Sequence, residues 1–393
     1  MIDSPLRVRL VQNVGELPEK EWQQLVCGKP ALRLELLRAI AAHARRPLLL
    51  QIFLLEDPQG LAAAAICELV ARGSTHNSLD ELLLGRWARA VRAFGISTQP
   101  AFVFHTPFMR QSPLVVRSAD TATQNRWLEC LLDGIESHAA GLKAGIAFIG
   151  MTDDDESLAT ALRARQYLQS GFETTASLEV TWSDFDSYVE CLRRRSKNAA
   201  QNARTERSRS RKNGIVIRQV EATQENALLL YHLTRDHFWH KNRREPLYGL
   251  GFMPQLAMTL GQDLLIFEAI RGDRRLAMLA VVRSEDVGLV AWIGIEQQNR
   301  QNDFTYANIA FYHLADLAPA LGLRTLIYGR AAQDAKAKRG CQLLLCYLFY
   351  RPRQRVARLL AAPLLALYRL RKPAVVNEPL AAGYARQTAC SDA

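Results

Sequence analysis

DLLIFEAIRGDRRLAMLAVVRSEDVGLVAWIGIE, residues 263–296, reads as three strands folded back on one another, because apolar runs of strand length are separated by the turn signals RGDR and SEDVG. A strand, GIVIRQV, and two helical stretches, QENALLLYHLTRDHFWHKN and FMPQLAMTLG, precede it. After it come the helix YANIAFYHLADLAPALGL with Gly322 at its end, the strand TLIYGR, a short helix or turn AAQDAKAKRG, and a last strand QLLLCYLFY. An antiparallel strand run followed by a strand, helix and strand crossover is an α+β unit.

The first half repeats that order. RVRLVQNV is strand-like, EKEWQQLV and ALRLELLRAIAAHA are helical, and LLLQIFLLEDPQGLAAAAICELV gives two strands around DPQG. LDELLLGRWARAVRAFG is helical, AFVFHTPF and PLVVR are extended, TQNRWLECLLDGIESHAAGL is an amphipathic helix and GIAFIGM a buried strand. A short helix, SLATALRARQYLQ, and a strand, TASLEVTW, close the half. The 393 residues therefore divide into a module at 1–182, a basic junction helix at 183–213, a second module at 214–350 and a basic C-terminal helix and tail at 351–393. Each module is expected to be a mixed, mostly antiparallel sheet flanked by helices.

Charge is concentrated in two places. The formal net charge is +11, yet RRRSKNAAQNARTERSRSRK (193–212) alone carries nine Lys or Arg against one Glu, and RPRQRVARLLAAPLLALYRLRK (351–372) is basic with no acid. In the first of these, Phe185, Tyr188, Val189, Leu192, Ala199 and Ala203 recur at helical spacing before and through the run, leaving Arg194, Lys197, Arg204 and Arg211 for anions. Nine cations repel one another more than a connector requires, which points to a polyanionic ligand. The second basic run, arginines flanking an apolar face, is a candidate for peripheral membrane contact through 351–372. The apolar stretches at 343–350 and 359–368 fall short of the roughly 20 residues that a spanning helix needs. Seven cysteines without a CxxC pair read as reduced thiols, and the first residues lack a signal peptide's pattern, so a cytoplasmic location is expected.

Three segments carry a family resemblance. WSDFDSYVECLRRRSKNAAQNARTERSRSRKNGIVI resembles the junction of the FemAB-like, peptidoglycan-bridge-type transferases, tandem members of the GCN5-related N-acetyltransferase (GNAT) superfamily. NIAFYHLADLAPALGL is similar to that family's helix with paired aromatics, here Phe311 and Tyr312, an acid, Asp316, and a closing Gly322-Leu323. GRAAQDAKAKRGC resembles its late segment with a Lys and an Arg-Gly pair, here Lys336, Arg339 and Gly340, although Gln333, Asp334 and Ala335 replace the usual Gly and acids. The resemblance covers residues 1 to 350 and implies two tandem GNAT-like modules and an acyltransferase.

The resemblance also sets the chemistry. An amine attacks an activated carbonyl, and the protein must position it, stabilise the oxyanion and accept a proton. Backbone N–H groups around Ile293 to Glu296 are the expected oxyanion donors. Glu296 is the first candidate for the proton acceptor, with His240 and Tyr328 next. Lys336 and Arg339 are expected to hold a phosphate or carboxylate, with Phe311 and Tyr312 at the donor site. The turn expected to meet a coenzyme A pyrophosphate, EQQNRQNDFTY (296–306), contains no glycine, which favours aminoacyl-tRNA over acyl-CoA as donor. No separate cofactor is expected; the acceptor is a small-molecule or lipid-linked amine, and natural-product assembly suits the chemistry as well as envelope work. Oligomeric state is not legible.

Other classes lack their signatures: there is no G-x-S-x-G, P-loop or G-x-G-x-x-G, and YGLGF (248–252) follows no strand. His232, Asp236 and His240 share one helical face at i, i+4, i+8 but have no fourth ligand, so no metal is expected. The competing readings are an acyl-CoA-dependent N-acyltransferase and, in a different class, a non-catalytic RNA-binding protein with a GNAT-like fold.

Overall fold

The aliphatic runs of both halves pair into one continuous sheet in the computed structural model, which describes residues 6–353 except 47, 73, 75–77, 85–87, 94–96, 108–110 and 297–302, together with Leu365. The readings placed on the 351–372 helix and on most of the 296–306 turn therefore lie outside the described residues. Among the described residues the first half supplies β1 (Arg7–Val11), β2 (Leu50–Asp57), β3 (Gly60–Val70), β4 (Ala101–Phe104), β5 (Leu114–Val116), β6 (Gly145–Met151) and β7 (Leu168–Glu179). The second supplies β8 (Ile215–Val220), β9 (Leu264–Arg271), β10 (Arg274–Ser284), β11 (Val287–Ile295), β12 (Thr325–Gly329) and β13 (Gln342–Arg351).

Both halves build the same ladder. β1, β2, β3 and β4 run antiparallel and β6 joins β4 in parallel; β8, β9, β10 and β11 run antiparallel and β12 joins β11 in parallel. The last strands are exchanged. β13, from the second half, pairs with β6, while β7, from the first half, pairs with β12. β7 and β13 then pair with each other from Leu168↔Tyr350 to Ser177↔Gln342, closing the sheet into the order β1-β2-β3-β4-β6-β13-β7-β12-β11-β10-β9-β8, with β5 on β3. This is the repeated α+β architecture expected from the element order, and it fits the two tandem GNAT-like modules that the family resemblance implies.

Helices cover both faces. The helix Thr121–Gly141 buries Trp127, Leu128, Leu131 and Ile135 against Phe53, Phe104 and Phe148 of the first half. In the second half Gln224–Asn242 and Phe252–Leu260 cover β9 to β11, joined there by Leu34–His43 from the first half. Gly294 sets how closely the first of these lies on β11: a Cβ at that position would stand 2.5 Å from the carbonyl carbon of Leu233 and the nitrogen of Thr234. Only a residue without a side chain fits there.

Three local readings are corrected. The junction is two helices, Phe185–Arg195 and Lys197–Lys212, broken where Ser196 adopts an extended backbone and its side chain caps Ala199 N. The break shifts the helical phase, so Ala200 and Ala203 are buried while Ala199 is only half-buried. The helix at 305–317 contains a π-helical segment, Asn308–Tyr312. Finally, the helix expected at 157–169 ends at Ala164; Gln166 takes φ 61°, and β7 starts at Leu168 because β13 offers it a partner from that residue onward.

The junction is pinned to the second half by two acids. Asp316 accepts a hydrogen bond from Phe185 N at 3.0 Å and pairs with Arg207, whose guanidinium lies over the Phe185 ring. Glu206 accepts from Tyr312 Oη at 2.5 Å and from Arg339 Nη2 at 2.8 Å, both partners belonging to the second module.

Gly294→Ala is expected to destabilise the protein by about 1–3 kcal/mol through overpacking, read as a lowered midpoint in thermal melting; an unchanged melt would mean that the helix can lift without cost. Because the Glu206 and Arg339 side chains are only 17% and 13% exposed, Glu206→Ala should cost about 3 kcal/mol. The double variant Glu206→Ala/Arg339→Met should then be more stable than the sum of the two single changes, as measured in a denaturant double-mutant cycle.

Candidate active site

β12 pairs with β11 over only three residues, Val287↔Thr325 to Leu289↔Ile327, and then diverges. Beyond that point Glu296 N still donates to Leu276 O of β10 at 2.9 Å. Alternation along an antiparallel strand then turns the amides of Ile293 and Ile295 toward the gap that β12 has left. These are amides in the region expected to serve an oxyanion.

Across the gap, the end of β12 presents carbonyls. Lys336, on the short helix Gln333–Ala337, is 4% exposed and donates from Nζ to Tyr328 O at 2.7 Å and to Gly329 O at 2.8 Å. Burial is the main cause that lowers its pKa to about 8; the Lys241 charge acts the same way, while Cys341 acts against it. The Cys341 thiol is pushed up to about 12 by burial and is held as a neutral thiol.

Five of the residues expected from the sequence come together here. The Tyr328 ring stacks on Phe311 with centroids 4.7 Å apart, and its hydroxyl donates to Ala310 O at 2.8 Å. Burial raises the Tyr328 pKa far above the ordinary phenol value, so the hydroxyl is a neutral, engaged group. Arg339 spans Phe311 and Tyr312, with its guanidinium carbon 5.3 Å and 5.7 Å from their ring centroids, and donates to Ala335 O and Glu206. Its Nε is buried with no hydrogen-bond partner among the described residues. Tyr188 Oη donates to Arg339 O, and Arg195 Nη1 donates to Gly340 O at 2.6 Å. Gly340 has φ 86°, and a Cβ there would sit 2.9 Å from Leu192 Cδ2, so the junction helix presses directly on the Arg-Gly turn.

The remaining expected residues lie apart. Glu296 forms a two-point pair with Arg274, at 2.9 Å and 2.7 Å, which occupies the carboxylate proposed as a base. His240 is exposed on the last turn of its helix, on the same solvent face as His232 and Asp236; no group of potential metal ligands is found among the described residues. Arg194, Lys197, Arg204 and Arg211 are exposed on the junction helices, Arg204 paired with Glu190 at 3.1 Å. Arg204 and Arg211, with Arg207, Ser208, Lys212 and Phe185, line an open cleft of 510 Å³ that Asp184, Asp186 and Asp316 border on the other side.

Sequence reading gave Glu206 no role and placed Tyr188 only on the apolar face of the junction. Glu206 was legible as the one acid among nine cations in 193–212. An isolated carboxylate in such a run meets strong local attraction, and its use as a tertiary bridge was the signal to follow.

Comparison with known proteins bears on the family and the fold. The model of the FemAB-like family, described as peptidoglycan biosynthesis/recognition, matches residues 13–354. No curated protein matches the sequence. Among solved structures, FemX superposes with a TM-score of 0.58 at 11% identity, covering 89% of this chain and 99% of that one. The C-terminal domain of a putative lysylphosphatidylglycerol synthetase from Agrobacterium fabrum gives a TM-score of 0.56 at 12% identity, over 89% of this chain and 96% of that one. A Bacteroides thetaiotaomicron protein of unknown function gives 0.54 at 9% identity, over 88% and 99%. At these identities the structures share the fold, and it is the family match over nearly the whole described chain that assigns membership: the chain belongs to the FemAB-like family of transferases.

Proposed function

We propose that the protein transfers an aminoacyl group from aminoacyl-tRNA to an amine of a small-molecule or cell-envelope-precursor acceptor, forming an amide at the β11–β12 gap. The observation that carries this reading is the buried Lys336 at the end of β12, bonded to the carbonyls of Tyr328 and Gly329 just past the last β11–β12 pair. A lysine held by two carbonyls is favoured as its cation, and a cation in a water-poor gap stabilises the negative charge that develops when an amine adds to an ester. The amine's proton leaves through the acceptor or solvent, since Glu296 is tied to Arg274 and the Tyr328 hydroxyl to Ala310.

The junction helices support a polyanionic donor. Arg194, Lys197, Arg211 and Lys212 are exposed and have no ion pair among the described residues, and phosphate neutralisation by such cations supplies most of the affinity for RNA. Arg207 is committed to Asp316 and Glu206 to Arg339, so the outer face meets the donor while the inner face holds the site. Acyl-CoA is the competing donor; it would place its pyrophosphate near 297–302, outside the described residues.

Lys336→Met should lower turnover at least tenfold with the fold retained by circular dichroism; wild-type rates would remove Lys336 from the mechanism. Since the protonated form is the active one, the rate should fall as pH rises through about 8, and Lys336→Arg should move that fall to higher pH. Incubation with charged tRNA panels and amine acceptors should yield new amides by mass spectrometry, with tRNA affinity dropping steeply as salt rises. Turnover with acyl-CoA alone would replace the donor, whereas tRNA retention without discharge would favour a non-catalytic RNA-binding role.

A further inference from the structure

We propose that the corner of the second module formed by residues 235–250, with residues 43–46 and Leu49 beside it, docks on an anionic lipid surface. Helix Gln224–Asn242 ends at Arg243, which takes φ 53°, a left-handed conformation uncommon for a residue other than glycine. The turn leaves Lys241, Arg243 and Arg244 exposed in immediate succession around it. Residues 43–45 are tied to the same corner: Gly249 N donates to His43 O at 2.7 Å, Arg45 N donates to Leu247 O at 2.8 Å, and Ala44 bridges Tyr248. Arg46 is thereby added to the cations.

The corner is also apolar. Trp239 is 45% exposed, Leu250 53% and Leu49 50%, a large commitment of apolar surface to solvent within one region. Arg45 is paired with Glu245 and Arg235 with Asp236, whereas Arg46, Lys241, Arg243 and Arg244 have no ion pair among the described residues. A tryptophan and two leucines amid unpaired cations match a bilayer interface, where the rings and aliphatic chains enter the headgroup boundary and the cations meet lipid phosphates. The half-exposed leucines weigh against RNA, whose bases stack on aromatic but not aliphatic side chains.

The position gives the contact a use. Helix Gln224–Asn242, which carries the corner at its C-terminal end, packs against β11 at Gly294, on the part of that strand that borders the β11–β12 gap. A lipid-linked acceptor would present its amine there without leaving the bilayer. This use rests on the proposed acceptor class; the binding itself does not.

The test is flotation of the full chain with vesicles of phosphatidylglycerol and phosphatidylcholine, against vesicles of phosphatidylcholine alone. The wild type should float with the first and not the second. Trp239→Ser and Arg243→Glu/Arg244→Glu should each weaken binding at least tenfold, with unchanged melting and with turnover of a water-soluble acceptor within threefold of wild type. Three results overturn the proposal: no flotation of the wild type, equal flotation of both variants, or loss of bulk RNA binding in the variants without any vesicle binding. Flotation requires no turnover, so its failure and the failure of the transferase reading are separate events.

Discussion

The site depends on one constraint, that β12 cannot stay with β11. Its other edge is bound to β7, whose direction is fixed in turn by β13, so after Leu289 the parallel pair must separate. Separation strips backbone groups of ladder partners, and buried groups of that kind demand replacements. Lys336 supplies them for Tyr328 and Gly329. In the proposed mechanism the chemistry is a by-product of sheet geometry, made usable by one buried cation.

The surroundings of the site are assembled from three stretches of the chain. Phe311 and Tyr312 come from a π-helical segment, whose extra residue per turn lets neighbouring rings meet different partners, one Tyr328 and the other Glu206. Tyr188 and Glu206 come from the junction, and Arg339 from the turn that Gly340 permits.

Much of this was legible in the sequence. Element order predicted both modules because strand and helix periods are local properties, and Lys336, Arg339, Phe311, Tyr312 and Tyr328 lie on the segments that do meet. What was not legible depends on pairing at long range: the exchange of β7 and β13, the early start of β7 that β13 permits, and the Glu296–Arg274 pair that closes a β10–β11 register. The break at Ser196 was locally encoded by a serine before Lys-Asn-Ala-Ala, but the continuous run of cations on both sides concealed it.

The strand exchange also orders the life of the chain. β7 can meet β12 once residue 329 is made, but β6 waits for β13 and so for residue 351. Until then the nascent first half displays an unpaired edge carrying Ile146, Ala147, Phe148 and Ile149, side chains that are all buried in the finished protein. The N-terminal module is thus the first to be synthesised and cannot be the first to be complete. A chain that stops short of Gln342 leaves that edge open for good, and quality control in the cell would meet it as an adhesive strand rather than as a shortened enzyme.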